Sequence, residues 1–376
     1  MSKAISSFSA DDFLREALEK RKQENALRSL QQTHSLIDFC SNDYYGLSRS
    51  NAFAEVLEKA AAGLSNGSGG SRLLAGNTAF TEEVEQELAA LFNAEAALIY
   101  NSGYTANAGF FQAVAGRNST IIYDELIHAS VRDGILLSHA KAYSFKHNDI
   151  EHLQTLLSRA EGLVFVAAES VYSMDGDCAP LLALAECCEA AGANLVLDEA
   201  HGTGVFWPGM AAELGLERRI FARLHTFGKA AGVHGAVWLG SALLRSYLIN
   251  FSRAFIYTTA LPPHAVMAIR ESCRYIAAHP ELRSELRRRI QTFAEAAKLY
   301  PQLQLLPSET PVQALLLPGN ERARSLAGML RQQGFDVRAV LAPTVPPGKE
   351  RIRICLHVHN SETEIHDLLR SVANLS

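Results

Sequence analysis

The sequence predicts an α/β protein: a large, mostly parallel sheet flanked by helices, a helical segment before it and a smaller α+β unit after it. Three observations carry that expectation. Short apolar runs recur at Ala96–Tyr100, Thr120–Tyr123, Leu163–Ala168, Leu195–Leu197, Leu224–Phe227 and Ala236–Leu239. Such runs, apolar on both faces, suit strands covered from both sides. Helical patterns or long connections separate most of them, which implies right-handed crossovers in a layered domain. Beyond residue 275 the alternation gives way to mixed helices and strands.

In chain order, residues 12–30 read as an amphipathic helix with Phe13, Leu14, Ala17, Leu18, Leu27 and Leu30 at helical spacing. A turn-rich stretch, Ser41-Asn42-Asp43-Tyr44-Tyr45-Gly46, follows. A helix is expected over 52–63, then a glycine-rich loop at 66–71. A further helix is expected from Thr81, whose acidic first turn (Glu82, Glu83) complements a helix N-terminus. After the strand region come a charged helix at 281–299, a strand at Val312–Leu317, a helix at 320–333, and strands at Val337–Val340 and Arg351–Leu356. The implied divisions are a helical segment 1–45, a large α/β domain 46–275 and a small α+β domain 276–376.

Composition narrows the function. The chain has 376 residues, 48% hydrophobic and 20% charged, with a net charge of −5. That is ample for a large core. No basic run suggests nucleic acid, and no long apolar stretch suggests a membrane span. The N-terminus lacks an apolar signal core, so a cytoplasmic location is expected. The cysteines (Cys40, Cys178, Cys187, Cys188, Cys273, Cys355) match no zinc spacing and read as reduced structural thiols.

In an open α/β sheet, ligands bind beyond the carboxyl ends of the strands. The residues there are chemically rich. They include Asn101-Ser102-Gly103-Tyr104, Asp124 and His128, Glu169 and Ser173, Asp198-Glu199-Ala200-His201-Gly202-Thr203-Gly204, and His225-Thr226-Phe227-Gly228-Lys229. Pyridoxal 5'-phosphate uses such a set. Its aldehyde needs a lysine, its pyridine nitrogen a carboxylate, its face a stacking ring and its phosphate N–H and O–H donors. Lys229 suits the Schiff base, Asp198 the ring nitrogen, and the amides of Gly103 and Tyr104 a phosphate at a helix start. Each residue alone has a plainer reading. Lys229 could be a solvated lysine, Asp198 a cap, and His128 or His201 a satisfied core histidine. The glycine loop lacks the Lys-Ser/Thr ending of a nucleotide-binding P-loop. His357 and His359 read as neighbours on a strand end, and no metal is expected.

Taken in order, these motifs resemble the α-oxoamine synthases, a family of fold-type I pyridoxal-phosphate enzymes. The resemblance spans nearly the whole chain. It includes Ser41–Leu47, Gly67–Ser71, Ser173–Asp177, Asp198–Gly204, Thr226–Lys229, Tyr257–Pro263 and Pro343–Pro346. It implies a decarboxylating condensation of an amino acid with an acyl thioester. The compact N-terminus and the Pro-Thr-Val-Pro-x-Gly stretch are similar to members that join L-alanine to pimeloyl-CoA or pimeloyl-acyl carrier protein. Other members join glycine or serine to different acyl-CoAs.

The resemblance implies a role for each matching position. Lys229 holds the cofactor and moves protons. Asp198 pairs with the pyridine nitrogen, His201 bonds the phenolic oxygen, and His128 stacks on the ring and steadies the thioester oxygen. Gly103, Tyr104, Ser173 and Thr226 hold the cofactor, with Thr258 or Thr259 of a partner subunit reaching the phosphate. Arg353 clamps the amino acid carboxylate; Arg28, Asn42 and Thr344 face the substrates; Glu169 supports the site. A homodimer with sites at the interface is implied. Two departures stand out: Ala230-Ala231 where relatives often have glycine after the lysine, and Leu341 where close relatives often carry arginine. Competing readings are an aminotransferase or amino acid decarboxylase on the same fold, and a non-catalytic partner subunit. The joint presence of Lys229, Asp198 and His201 weighs against the last.

Overall fold

The structure is a computed structural model that describes residues 9–30, 32 and 35–375. Its strands are β1 Ile37–Asp38, β2 Ala96–Tyr100, β3 Ser119–Asp124, β4 Lys141–Phe145, β5 Leu163–Glu169, β6 Asn194–Asp198, β7 Ala222–Thr226, β8 Ala236–Gly240, β9 Val312–Leu316, β10 Phe335–Asp336, β11 Arg338–Val340 and β12 Arg351–Cys355. The large sheet is seven-stranded, in the order β2-β8-β7-β6-β5-β3-β4. Only β8 runs against its neighbours. The carboxyl ends of β2, β3, β5, β6 and β7 therefore open onto one rim.

Helices cover both faces. On one, Phe110 of the helix Gly103–Val114 stacks on Trp238 of β8 at 4.1 Å between ring centroids. The Trp238 indole N–H donates to the Ala106 carbonyl at 2.9 Å, so its polar atom is satisfied in the core. Each apolar run of the sequence lies within one strand except Leu224–Phe227, whose strand starts two residues earlier and ends at Thr226. Strand β4 has no apolar run: Lys-Ala-Tyr-Ser-Phe alternates and lies at the sheet edge with four residues exposed.

The C-terminal part carries the antiparallel sheet β11-β12-β9. The helices Glu281–Ala297, Asn320–Gln332 and Glu362–Leu375 accompany it, and the last was not foreseen. The N-terminal region corrects two expectations. Its helix is Ala10–Gln23, not 12–30, and Phe13, Leu14 and Leu18 are exposed. Asn25 takes a positive φ of 52°, which ends the helical path and leaves Arg28 on irregular chain. The stretch 1–45 also holds a strand: β1 pairs in parallel with β10, and the Cys355 amide donates to the Phe39 carbonyl at 2.8 Å. This stretch thus joins the C-terminal part through backbone hydrogen bonds. The helix expected from Thr81 begins at Ala79 because Thr78 is its cap, its hydroxyl accepting the Thr81 amide at 3.1 Å. Residues 1–8, on which part of the reading of the N-terminus rests, lie outside the described residues. Among the described residues, no helix is long and apolar enough to cross a membrane.

The loop 170–178 connects the large sheet to the small one. Gly176 has a φ of +79°, and a Cβ there would stand 1.9 Å from the Val312 carbonyl oxygen of β9. Gly176→Ala is expected to destabilise the protein by at least about 2 kcal/mol, combining left-handed strain with a backbone clash. Denaturant unfolding of the purified variant checks this.

Candidate active site

The strand ends converge on a cleft of about 220 Å³ lined by Asn42, Ser102, Gly103, Tyr104, Asn107, His128, Glu169, Asp198, His201, Thr226 and Lys229, among others. Its floor is acidic. Glu169 and Asp198 are Cα partners at the ends of β5 and β6. Asp198 accepts from the Ala200 amide at 2.8 Å and from Asn107 Nδ2 at 2.7 Å. Burial, reinforced by the charge of Asp198, pushes the Glu169 carboxyl well above its ordinary range. Glu169 accepts the His128 amide at 2.6 Å, which anchors the segment carrying that ring.

His128 is the cap of the helix Ala129–Leu137, and its Nδ1 accepts the Ser130 amide at 3.2 Å. That bond uses the Nδ1 lone pair and places the proton of the neutral ring on Nε2. Burial lowers the pKa of His128, against the pull of Asp198. His201 lines the same cleft, its Nδ1 at 2.7 Å from the Tyr44 hydroxyl. Burial, with the positive charges of Lys229 and Arg353, holds His201 well below the ordinary histidine pKa. Two neutral imidazoles therefore flank the cleft.

Lys229 follows β7 after a short turn. It is half-buried, and its amine lies 3.5 Å from the Thr226 hydroxyl with no ion pair among the described residues. Burial lowers its pKa, partly offset by Asp198 and Glu169. A desolvated lysine of this kind is a better nucleophile and proton carrier near neutral pH. The neighbouring Ala230 and Ala231 avoid positive φ, which falls instead on Gly232 at +67°. The departure from glycine therefore costs no backbone strain. Leu341, the other departure, packs partly buried against the main core.

At the other end of the cleft, Ser102 caps the helix Gly103–Val114 by accepting the Thr105 amide at 3.2 Å. The amides of Gly103 and Tyr104 precede the first intrahelical bond, at the positive end of the helix dipole. A Cβ on Gly103 would stand 2.5 Å from Thr226 Cγ2, so the close approach of this turn to β7 requires glycine. Gly103→Ala is expected to weaken pyridoxal-phosphate binding about tenfold or more, as a fluorescence titration of apoprotein would show.

Other expected residues fall into neighbouring groups. Arg353 Nε donates to the Ser173 carbonyl at 2.6 Å, and its Nη2 to Asn42 Oδ1 at 2.9 Å, next to the cleft. Arg28 and Thr344 lie apart from the cleft lining but meet each other, Nη2 to Oγ1 at 3.0 Å. Thr258 and Thr259 lie near the end of β2, where Asn101 Nδ2 donates to Thr258 Oγ1 at 3.3 Å and to the Thr259 carbonyl at 3.0 Å. Sequence reasoning missed Asn107, Ser130 and the contact from Tyr44. Asn107 has a usable signal: it lies four residues after Gly103, one helical turn along the same face. Among the described residues, no cluster of His, Cys, Asp or Glu could hold a metal ion.

The donor set fits pyridoxal phosphate. A desolvated lysine faces an acidic floor, two neutral rings flank it, and a glycine cradle opens at a helix N-terminus. The buried Asn107 Oδ1, without a partner among the described residues, adds an acceptor beside Asp198. Fold and site together define a fold-type I pyridoxal-phosphate transferase. The chain belongs to the aminotransferase class I and II family, whose model matches residues 34–372. It is 40% identical over 393 residues to the 8-amino-7-oxononanoate synthase of Emericella nidulans, covering 96% of this chain and 95% of that one. The protein of the same name from Marinobacter nauticus is 37% identical over 378 residues, covering 96% and 95%. Among solved structures, the 8-amino-7-oxononanoate synthase of Francisella tularensis superposes with a TM-score of 0.78 at 28% identity, covering 91% of this chain and 98% of that one. A serine palmitoyltransferase from S. paucimobilis with a bound PLP–myriocin aldimine superposes with a TM-score of 0.88 at 25% identity, covering 99% and 98%.

Proposed function

We propose that this chain condenses L-alanine with a pimeloyl thioester, on CoA or an acyl carrier protein, giving 8-amino-7-oxononanoate and carbon dioxide for biotin synthesis. The observation that carries the chemistry is the half-buried Lys229 amine in one cleft with Asp198 and His201, beside the Arg353 guanidinium. The choice of substrates follows the relatives, whose 37–40% identity extends over nearly the full chain.

Pyridoxal phosphate supplies an electron sink for the charge that develops at the amino acid α-carbon. Asp198, held by Asn107 and the Ala200 amide, keeps a carboxylate at the pyridine nitrogen. His201 donates toward the phenolic oxygen. Gly103, Tyr104, Ser173 and Thr226 hold the cofactor, and the partner's Thr258 or Thr259 completes the phosphate site in a homodimer. Arg353 and Asn42 orient the amino acid carboxylate, a planar task suited to guanidinium. Lys229 removes the α-proton and later returns one. His128, with its proton on Nε2, covers the ring face and donates to the thioester oxygen as charge builds there. Arg28 and Thr344 meet the acyl donor, and Glu169 fixes the His128 segment. The expected location is cytoplasmic.

The high structural similarity to serine palmitoyltransferase makes serine the first competitor to test. Carbon dioxide and aminoketone are measured with pimeloyl-CoA plus L-alanine, glycine or L-serine. Alanine is expected to give the highest kcat/KM. A larger value with serine or glycine would reassign the substrates while keeping the reaction class. Keto acid formed from alanine without a thioester would indicate transamination instead.

A further inference from the structure

A second cluster of polar groups stands outside the cleft. His147, just after β4, places Nδ1 at 2.9 Å and 3.1 Å from the two oxygens of the buried Asp124, and Nε2 at 2.7 Å from Asp177 Oδ2. A carboxylate can only accept, so both ring nitrogens carry hydrogens and the ring is an imidazolium. Asp124 ends β3, and Asp177 lies on the loop 170–178, so this ring joins the large sheet to that loop.

The loop grips the small sheet at three points. Gly176 accepts through its carbonyl from the Ser308 and Thr310 hydroxyls, both at 2.8 Å. Asp175 pairs with Arg351. The Ser173 carbonyl accepts from Arg353 Nε at 2.6 Å. Arg351 and Arg353 are two apart on β12 and so point from the same face. One loop thus holds both arginines, and His147 holds the loop.

We propose that His147 is a positioning residue, bridging Asp124 and Asp177 so that the loop 170–178 aims the Arg353 guanidinium at the amino acid carboxylate. The proposal rests on the role assigned to Arg353 above. The groups facing His147 favour its charged form. Asp124, the last residue of β3, and Glu125 just after it approach from the large sheet, with Glu125 accepting the His147 amide at 3.1 Å. Asp177 approaches from the loop, as does the Tyr172 ring, nearly perpendicular to the imidazole with centroids 4.5 Å apart. Lys146, the adjacent cation, is exposed. Burial opposes the charge, but the bonds to Asp124 and Asp177 outweigh it and raise His147 from 6.5 to about 9. Because the folded pKa exceeds the unfolded one, the latch contributes stability that is full below pH 6.5 and lost as pH climbs through 9.

The test compares wild type and His147→Gln as holoenzymes. L-alanine, glycine and L-serine are titrated by cofactor absorbance at pH 7.5 and pH 10. These amino acids share the carboxylate, so a wrong choice of substrate leaves the test intact, and failure of the condensation shows only in the product assay. The tightest binder should bind His147→Gln about tenfold more weakly at pH 7.5, the loss of one charge-assisted hydrogen-bonded position. The difference should shrink to about twofold at pH 10, where wild type has also lost the charge. A merely structural His147 would lower the thermal midpoint and leave the ratio of dissociation constants near one at both pH values, which would overturn the proposal. So would a tenfold ratio unchanged at pH 10. Asp177→Asn provides the same comparison should His147→Gln not fold.

Discussion

Lys229→Ala is expected to lower turnover by roughly 10⁴-fold or more while the fold survives, because one amine serves as both cofactor anchor and proton carrier. The structure explains why the fold should tolerate the change. Among the described residues, the amine meets the Thr226 hydroxyl at 3.5 Å and forms no ion pair. Burial lowers its pKa, so its charge costs stability at low pH, and that cost fades as pH rises toward the ordinary lysine value of 10.5. The thermal midpoint of the variant apoprotein, taken relative to wild type, should therefore fall as pH rises. Circular dichroism melts between pH 6 and pH 10 check the stability, and the product assay checks the turnover. Near-wild-type activity would remove Lys229 from the chemistry.

Asp198→Asn is expected to cost about 10²- to 10³-fold in kcat, because it removes the fixed negative charge that stabilises a protonated pyridine nitrogen. Its stability should stay close to wild type for a specific reason. The Ala200 amide can still donate to the amide oxygen at position 198. Asn107 presents its Nδ2 to the present carboxylate and leaves Oδ1 without a partner among the described residues, so it can turn its amide and accept from the new Nδ2. The turn gives up the Asn107 bond to Ser130, now 3.0 Å, a loss of about 1 kcal/mol. Turnover within about tenfold of wild type would contradict an electrostatic role of this size.

Both substituted positions are legible in the sequence, and by the same signal. Lys229, Asp198, His201 and His128 follow apolar runs, and runs buried on both faces are the strongest local signal of a parallel sheet. The rule that ligands gather at the carboxyl ends then brings those residues together before any coordinates are known. The same logic could not find β4, whose exposed edge alternates, or the latch that follows it. His147 acquires its meaning from Asp124 and Asp177, thirty residues or fewer away in sequence but brought together by a crossover. Nor could it place the end of the first helix. The apolar spacing of Leu27 and Leu30 continues the helical pattern, but the left-handed Asn25 interrupts it. Periodicity records which side chains are apolar, and the chain reverses where backbone conformation requires it. Asn107 carries only the weak signal of lying one helical turn after Gly103, because an asparagine in a helix is ordinary until the fold sets Asp198 beside it.

The central claim is that Lys229 holds pyridoxal phosphate in a site built to join an amino acid to a thioester. The most direct measurement is an absorption spectrum of the purified protein, recorded alone, with L-alanine and then with pimeloyl-CoA. Borohydride reduction and peptide mapping complete it. The account predicts a near-visible band that borohydride traps on Lys229, and a further long-wavelength band that appears only when the thioester joins the amino acid. A protein that shows no such band even after pyridoxal phosphate is added, or a cofactor trapped on a different lysine, would contradict it.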